Sequence, residues 1–167
     1  MKKLSIATAT LLAFATPAAA EHISAGLIGY EEVPALSTPA SGELRAMISN
    51  DDSFIDYELT FSGLTAPVTQ AHIHFGQHSV NGGIMIWLCG TDALPGPAGT
   101  PRCPQAGTVT GTAGVASVVG PAGQGVAAGD LQAAIAAIRA GTAYANVHST
   151  RFPTGEIRGQ VRASSRR

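Results

Sequence analysis

Thr69-Gln70-Ala71-His72-Ile73-His74-Phe75-Gly76 alternates polar and apolar side chains from Gln70 to Phe75. A strand repeats every two residues, so His72 and His74 stand on one face and Ala71, Ile73 and Phe75 on the other. Outward along the chain the same alternation recurs. In Ala143-Tyr144-Ala145-Asn146-Val147-His148 it separates Tyr144, Asn146 and His148 from the small apolar residues, and near the C-terminus it sets Glu156, Arg158 and Gln160 opposite Ile157, Gly159 and Val161. Three strands thus each present one apolar and one polar face.

Further short runs of this character lie at Ser24 to Tyr30, Gly42 to Ser49, Phe54 to Phe61, Ile84 to Cys89 and Thr108 to Thr112. Turn residues separate them, among them Asn50-Asp51-Asp52, Asn81-Gly82-Gly83 and Pro153-Thr154-Gly155. About eight short strands at this spacing predict an all-β fold: an antiparallel Greek-key β-sandwich or barrel, immunoglobulin-like or superoxide-dismutase-like. One segment departs from the pattern. Leu131, Ala134, Ile135 and Ile138 fall at helical spacing, Asp130 stands at the N-cap position, Arg139 in the last turn and Gly141 at the stop. A single helix of about ten residues is expected there. The Gly/Pro/Ala-rich region 90–129 is read as loops with one or two weak strands.

The first 20 residues have the form of a secretory signal peptide: Met1-Lys2-Lys3, an apolar stretch from Leu4 to about Thr16, then Pro17-Ala18-Ala19-Ala20. The expected organisation is a leader over 1–20 and one β domain over 21–167, periplasmic or secreted. No later stretch reaches the ~18 to 20 continuous apolar residues of a membrane-spanning helix. Beyond the leader the chain has eight Arg, no Lys and eleven acids, a net charge of −3. That balance argues against nucleic acid or an anionic membrane as partner, both of which attract basic surfaces. With 20 Gly and 10 Pro in 167 residues, a helical bundle is also disfavoured. An exported chain with two cysteines, Cys89 and Cys103, is expected to join them, tethering the loop between.

Taken in order, Gly29-Tyr30-Glu31-Glu32-Val33-Pro34, Ala71-His-Ile-His-Phe-Gly76, Asn81-Gly82-Gly83, Tyr144-Ala-Asn-Val-His148 and Pro153-Thr-Gly-Glu-Ile-Arg-Gly-Gln160 resemble the chordin-type domain, CHRD, over about residues 23–162. The resemblance implies a secreted all-β domain, found in animal chordins and as stand-alone bacterial exported proteins, without a generally established catalytic activity. It therefore implies a non-catalytic module that binds an envelope or extracellular partner.

The polar positions allow two readings. In one, His72, His74, His148, Asn146, Glu156 and Arg158 form a hydrogen-bonded network that pins neighbouring strands, with Glu156 and Arg158 paired. In the other, the His-x-His pair and His148 from a second strand ligate a single copper or zinc ion. The motif is similar to the copper-binding His-x-His of copper/zinc superoxide dismutases, which would allow dismutase-like activity. The bridging histidine, the zinc loop and the active-site arginine of that family have no counterpart here. A G-x-S-x-G elbow and a phosphate-binding G-x-G-x-x-G in a βαβ setting are absent from the sequence. His78 is expected in an exposed turn, His22 in a loose terminus, Glu31-Glu32 at an exposed strand end, Asp51-Asp52 in a hairpin turn and Trp87 in the core.

Overall fold

A computed structural model describes residues 20–164; the leader read over 1–20 lies, except for Ala20, outside the described residues. Alternating side chains build strands β1 Glu21–Ile28, β2 Ser41–Ile48, β3 Ile55–Ser62, β4 Val68–Phe75, β5 Gly83–Cys89, β6 Gly107–Ala113, β7 Ala143–Ser149, β8 Ile157–Gln160 and the short β9 Arg162–Ala163. They form one antiparallel sheet in the order β5-β4-β7-β8-β1-β2-β3-β6, with β9 beside β1. The terminal strands β5 and β6 lie against each other, so the sheet curls into a nearly closed barrel. All eight expected strands are present, and the fold is the all-β one expected.

Ile23, Leu27, Leu44, Ile48, Ile55, Leu59, Ile73, Ala145 and Val147 point into the barrel and form its core. Helix α1, Leu131–Arg139, closes it with Leu131, Ala134, Ile135 and Ile138, the four residues read at helical spacing. The Asp130 side chain accepts a hydrogen bond from the Ala133 amide at 2.9 Å, and Gly141 has φ 70°, which favours a residue without Cβ. Arg139 uses both guanidinium edges: its Nη1 and Nη2 clamp the Asp52 carboxylate at 2.7 and 2.6 Å, and its Nε donates to Glu21 at 2.8 Å. This contact fastens the helix to the β2–β3 hairpin and to the start of β1. His22 accordingly lies in a strand, paired with Met47, and not in a loose terminus. β1 pairs with β2 in unbroken register from Glu21 to Ile28, and Arg139 holds the buried Glu21 carboxylate at its start.

The outer face of the barrel is not uniform. Along β1 and β3 buried and exposed residues alternate, as in a sheet with one wetted face, whereas every residue of β7 is buried. Loops around residues 29–40, 76–83 and 150–155 cover the polar face of β4, β7 and β8 and hydrogen-bond to it. A disulfide joins Cys89 and Cys103. Its loop folds back over β5, and Gly96, at φ 71°, sits so close to the Trp87 ring that a Cβ there would overlap it. Trp87 is therefore a half-buried residue of the outer face, not a core residue as expected. Replacing both cysteines by serine is expected to destabilise the domain by about 3 kcal/mol, because the unfolded chain regains the entropy of the opened loop. Urea midpoints of the two proteins measure this; coincident midpoints would contradict it.

Candidate functional site

The covered face carries His72, His74, Asn146, His148, Glu156 and Arg158, all of them buried. The β4–β7 register sets His72 opposite Asn146, His74 opposite Tyr144 and Gln70 opposite His148, and the β7–β8 register sets Asn146 opposite Arg158. His72, His74 and His148 consequently converge, with relative exposures of 0%, 7% and 4%. One ring nitrogen from each lies within 4.8 Å of the others. His72 Nδ1 stands 3.2 Å from His148 Nε2, at hydrogen-bond distance.

The surrounding carbonyls fix the tautomers. His74 Nδ1 donates to the Gly82 carbonyl at 3.1 Å and His148 Nδ1 to the Pro153 carbonyl at 3.0 Å, so in each ring Nε2 carries the lone pair. His72 Nδ1 then donates to His148 Nε2, and its own Nε2 becomes an acceptor. The buried Nε2 atoms of His72 and His74 have no hydrogen-bond partner. Orphaned buried acceptors are costly unless something occupies them, and imidazoles held by Nδ1–H to carbonyl bonds are the usual form of metal-ligating histidine. Burial, with the neighbouring rings, depresses the imidazoles to about 2 for His72 and about 4 for His74; burial alone brings His148 to about 4. All three rings are thus neutral near pH 7, the state in which they ligate.

Aromatic rings enclose the cluster. Trp87 meets His72 edge-on at 4.3 Å, and Tyr144 stacks on His74 at 4.8 Å with an interplanar angle of 6°. Arg158 lies over the Tyr144 ring, 3.5 Å from its centroid, and its Nη atoms donate to Asn81 Oδ1 and to the Gln77 and Val80 carbonyls. Arg158 thereby fixes the 76–83 loop that brings the Gly82 carbonyl to His74. An added Cβ at Gly82 would collide with the Phe75 carbonyl, so the loop needs glycine at this close approach.

The expected Glu156–Arg158 pair is not formed. Glu156 turns away and accepts from Thr38 Oγ1, the Thr65 amide and hydroxyl, and Ser149 Oγ. Burial acts to raise this carboxyl, but those donors outweigh it and hold it below the usual range. Two residues one strand-period apart share a face, yet the loops above them differ, and each side chain is satisfied by its own loop. Asn146 donates to Glu32 Oε1 at 2.6 Å and to the Ile157 carbonyl at 2.8 Å. Glu32, expected at an exposed strand end, is therefore buried, and burial pushes its carboxyl up to about 7 against the opposing effects of Asn146, Arg158 and the Val33 amide. Alternation gives no sign of this, because Glu32 reaches the site from a returning loop. His78 is exposed, bonded to Glu31 at 3.0 Å, and stands apart from the cluster.

A family model for the CHRD domain matches residues 23–161. No curated protein and no solved structure matches the chain. With nearly the whole of the described β domain inside that match, the chain belongs to the CHRD-domain family.

Proposed function

We propose that this protein is an exported CHRD module that holds one copper or zinc ion on His72, His74 and His148. The observation that carries the reading is the convergence of three buried, neutral imidazoles, two of them with buried Nε2 atoms that have no hydrogen-bond partner. A hydrogen-bonded network that served only to pin strands would leave no such acceptors. The carbonyls of Gly82 and Pro153 act as the outer groups that orient metal-bound histidines. Export is supported by the disulfide and by the form of the leader.

Metal analysis of untagged protein provides the test. About one copper or zinc per chain is expected as purified or after loading and desalting, and less than about a tenth of that in the His72→Ala, His74→Ala double variant. A folded wild-type protein that takes up neither ion would contradict the reading. Binding of an envelope or extracellular partner draws on a separate observation. Tyr30 and Val80 are exposed apolar residues on two loops joined by the Asn81 to Val33 and His78 to Glu31 bonds.

A further inference from the structure

The electrical surroundings of the three rings discriminate between ions of different charge. Among the described residues, the cluster contains neither carboxylate nor thiolate, so its ligand groups are imidazoles that bring no negative charge. The nearest charged side chain set against the rings is the cationic Arg158, which lies over Tyr144, the ring stacked on His74. The buried carboxylates of this face are engaged elsewhere, Glu156 by Thr38, Thr65 and Ser149, and Glu32 by Asn146. The rings themselves are closed from water and walled by Trp87 and Tyr144.

An ion entering such a place loses its hydration without gaining a counter-charge. The cost of burying charge grows with its square, so a dication is penalised about four times as heavily as a monocation. Coordination number acts in the same direction. Zn(II) on three histidines must take a water as its fourth ligand and Cu(II) a tetragonal set, whereas Cu(I) is content with three. The cluster supplies three nitrogens and no fourth protein ligand among the described residues. Resting on the three-histidine reading, we infer that the centre selects monovalent copper, Cu(I), over Zn(II) and Cu(II).

The experiment is a competition on the whole, untagged protein after treatment with a chelator. Under anaerobic conditions Cu(I) is titrated against bathocuproine disulfonate, and Zn(II) and Cu(II) are titrated in parallel against a chromophoric chelator of divalent ions. One Cu(I) per chain is expected, held more than about tenfold more tightly than either dication, with an X-ray absorption edge of three-coordinate Cu(I) and a nitrogen-only shell. Zn(II) or Cu(II) held within tenfold of Cu(I), or more tightly, would overturn the selection and leave the three-histidine centre standing. A protein that remains folded by circular dichroism and binds none of the three ions would overturn the centre itself.

Discussion

Metal-free protein will lose stability steeply as the pH falls from 6.5 toward 4, with a slope of about 2 to 3 kcal/mol per pH unit near pH 5.5. His72, His74 and His148 have folded-state values depressed to about 2, 4 and 4 from an ordinary value of 6.5. A depressed histidine contributes stability that is present above its unfolded value and is lost as the pH falls toward its folded value. Near pH 5.5 the unfolded chain therefore binds nearly three more protons at these rings than the folded one. Glu32 has the opposite sign. Its folded value of about 7 lies above the ordinary 4.5, so its contribution is full below 4.5 and is lost as the pH rises through 7. At pH 5.5 the folded state holds this extra proton, and the net uptake on unfolding is about two, which sets the slope. Above pH 7 the two effects nearly offset and the curve flattens. Urea midpoints from pH 4.5 to 8 in the presence of a chelator measure the slope. A flat profile between pH 5 and 6.5 would show that the three rings are not buried together.

Replacing Glu156 by Ala will destabilise the domain by about 3 to 5 kcal/mol. Four donors converge on this fully buried carboxylate, and they come from three separate segments: Thr38, Thr65 and Ser149. Removing it strands the buried Ser149 hydroxyl, and it releases the half-buried Thr38 and the exposed Thr65 loops from β7 and β8. Glu156→Gln keeps the shape and one good acceptor, so a smaller loss of about 1 to 2 kcal/mol is expected. The pH dependence carries the matching sign: this carboxyl lies below the usual range, so its contribution is present above the ordinary value of 4.5 and is lost as the pH falls below it. Equal midpoints for Glu156→Ala and the wild type would show that the donors are satisfied by water instead.

The strands and the core-facing residues were legible because side-chain direction in a strand is fixed by the backbone. His72 and His74 must share a face whatever else the chain does, and the helix was legible for the same local reason, from Leu131 to Ile138 with its Asp130 cap. The meeting of the two histidines with His148 depends on register between β4 and β7, which lie far apart in sequence; the shared polar face suggested it, and the register supplies it. What local pattern does not carry is the covering of that face. Glu32, Gly82 and Pro153 reach the site from loops, and the fates of Glu156 and Arg158 were decided by those loops. Trp87 departs from its expected core position for a related reason. Ile84-Met85-Ile86-Trp87-Leu88 is apolar throughout, so local pattern does not mark its outward face, which the disulfide-tethered loop covers.

Anomalous diffraction from crystals of copper-loaded protein tests the central claim most directly. A single strong peak is expected about 2.0 to 2.1 Å from one ring nitrogen of each of His72, His74 and His148, with His74 and His148 ligating through Nε2. A peak at His22 or His78 with the three-histidine cluster empty would contradict it.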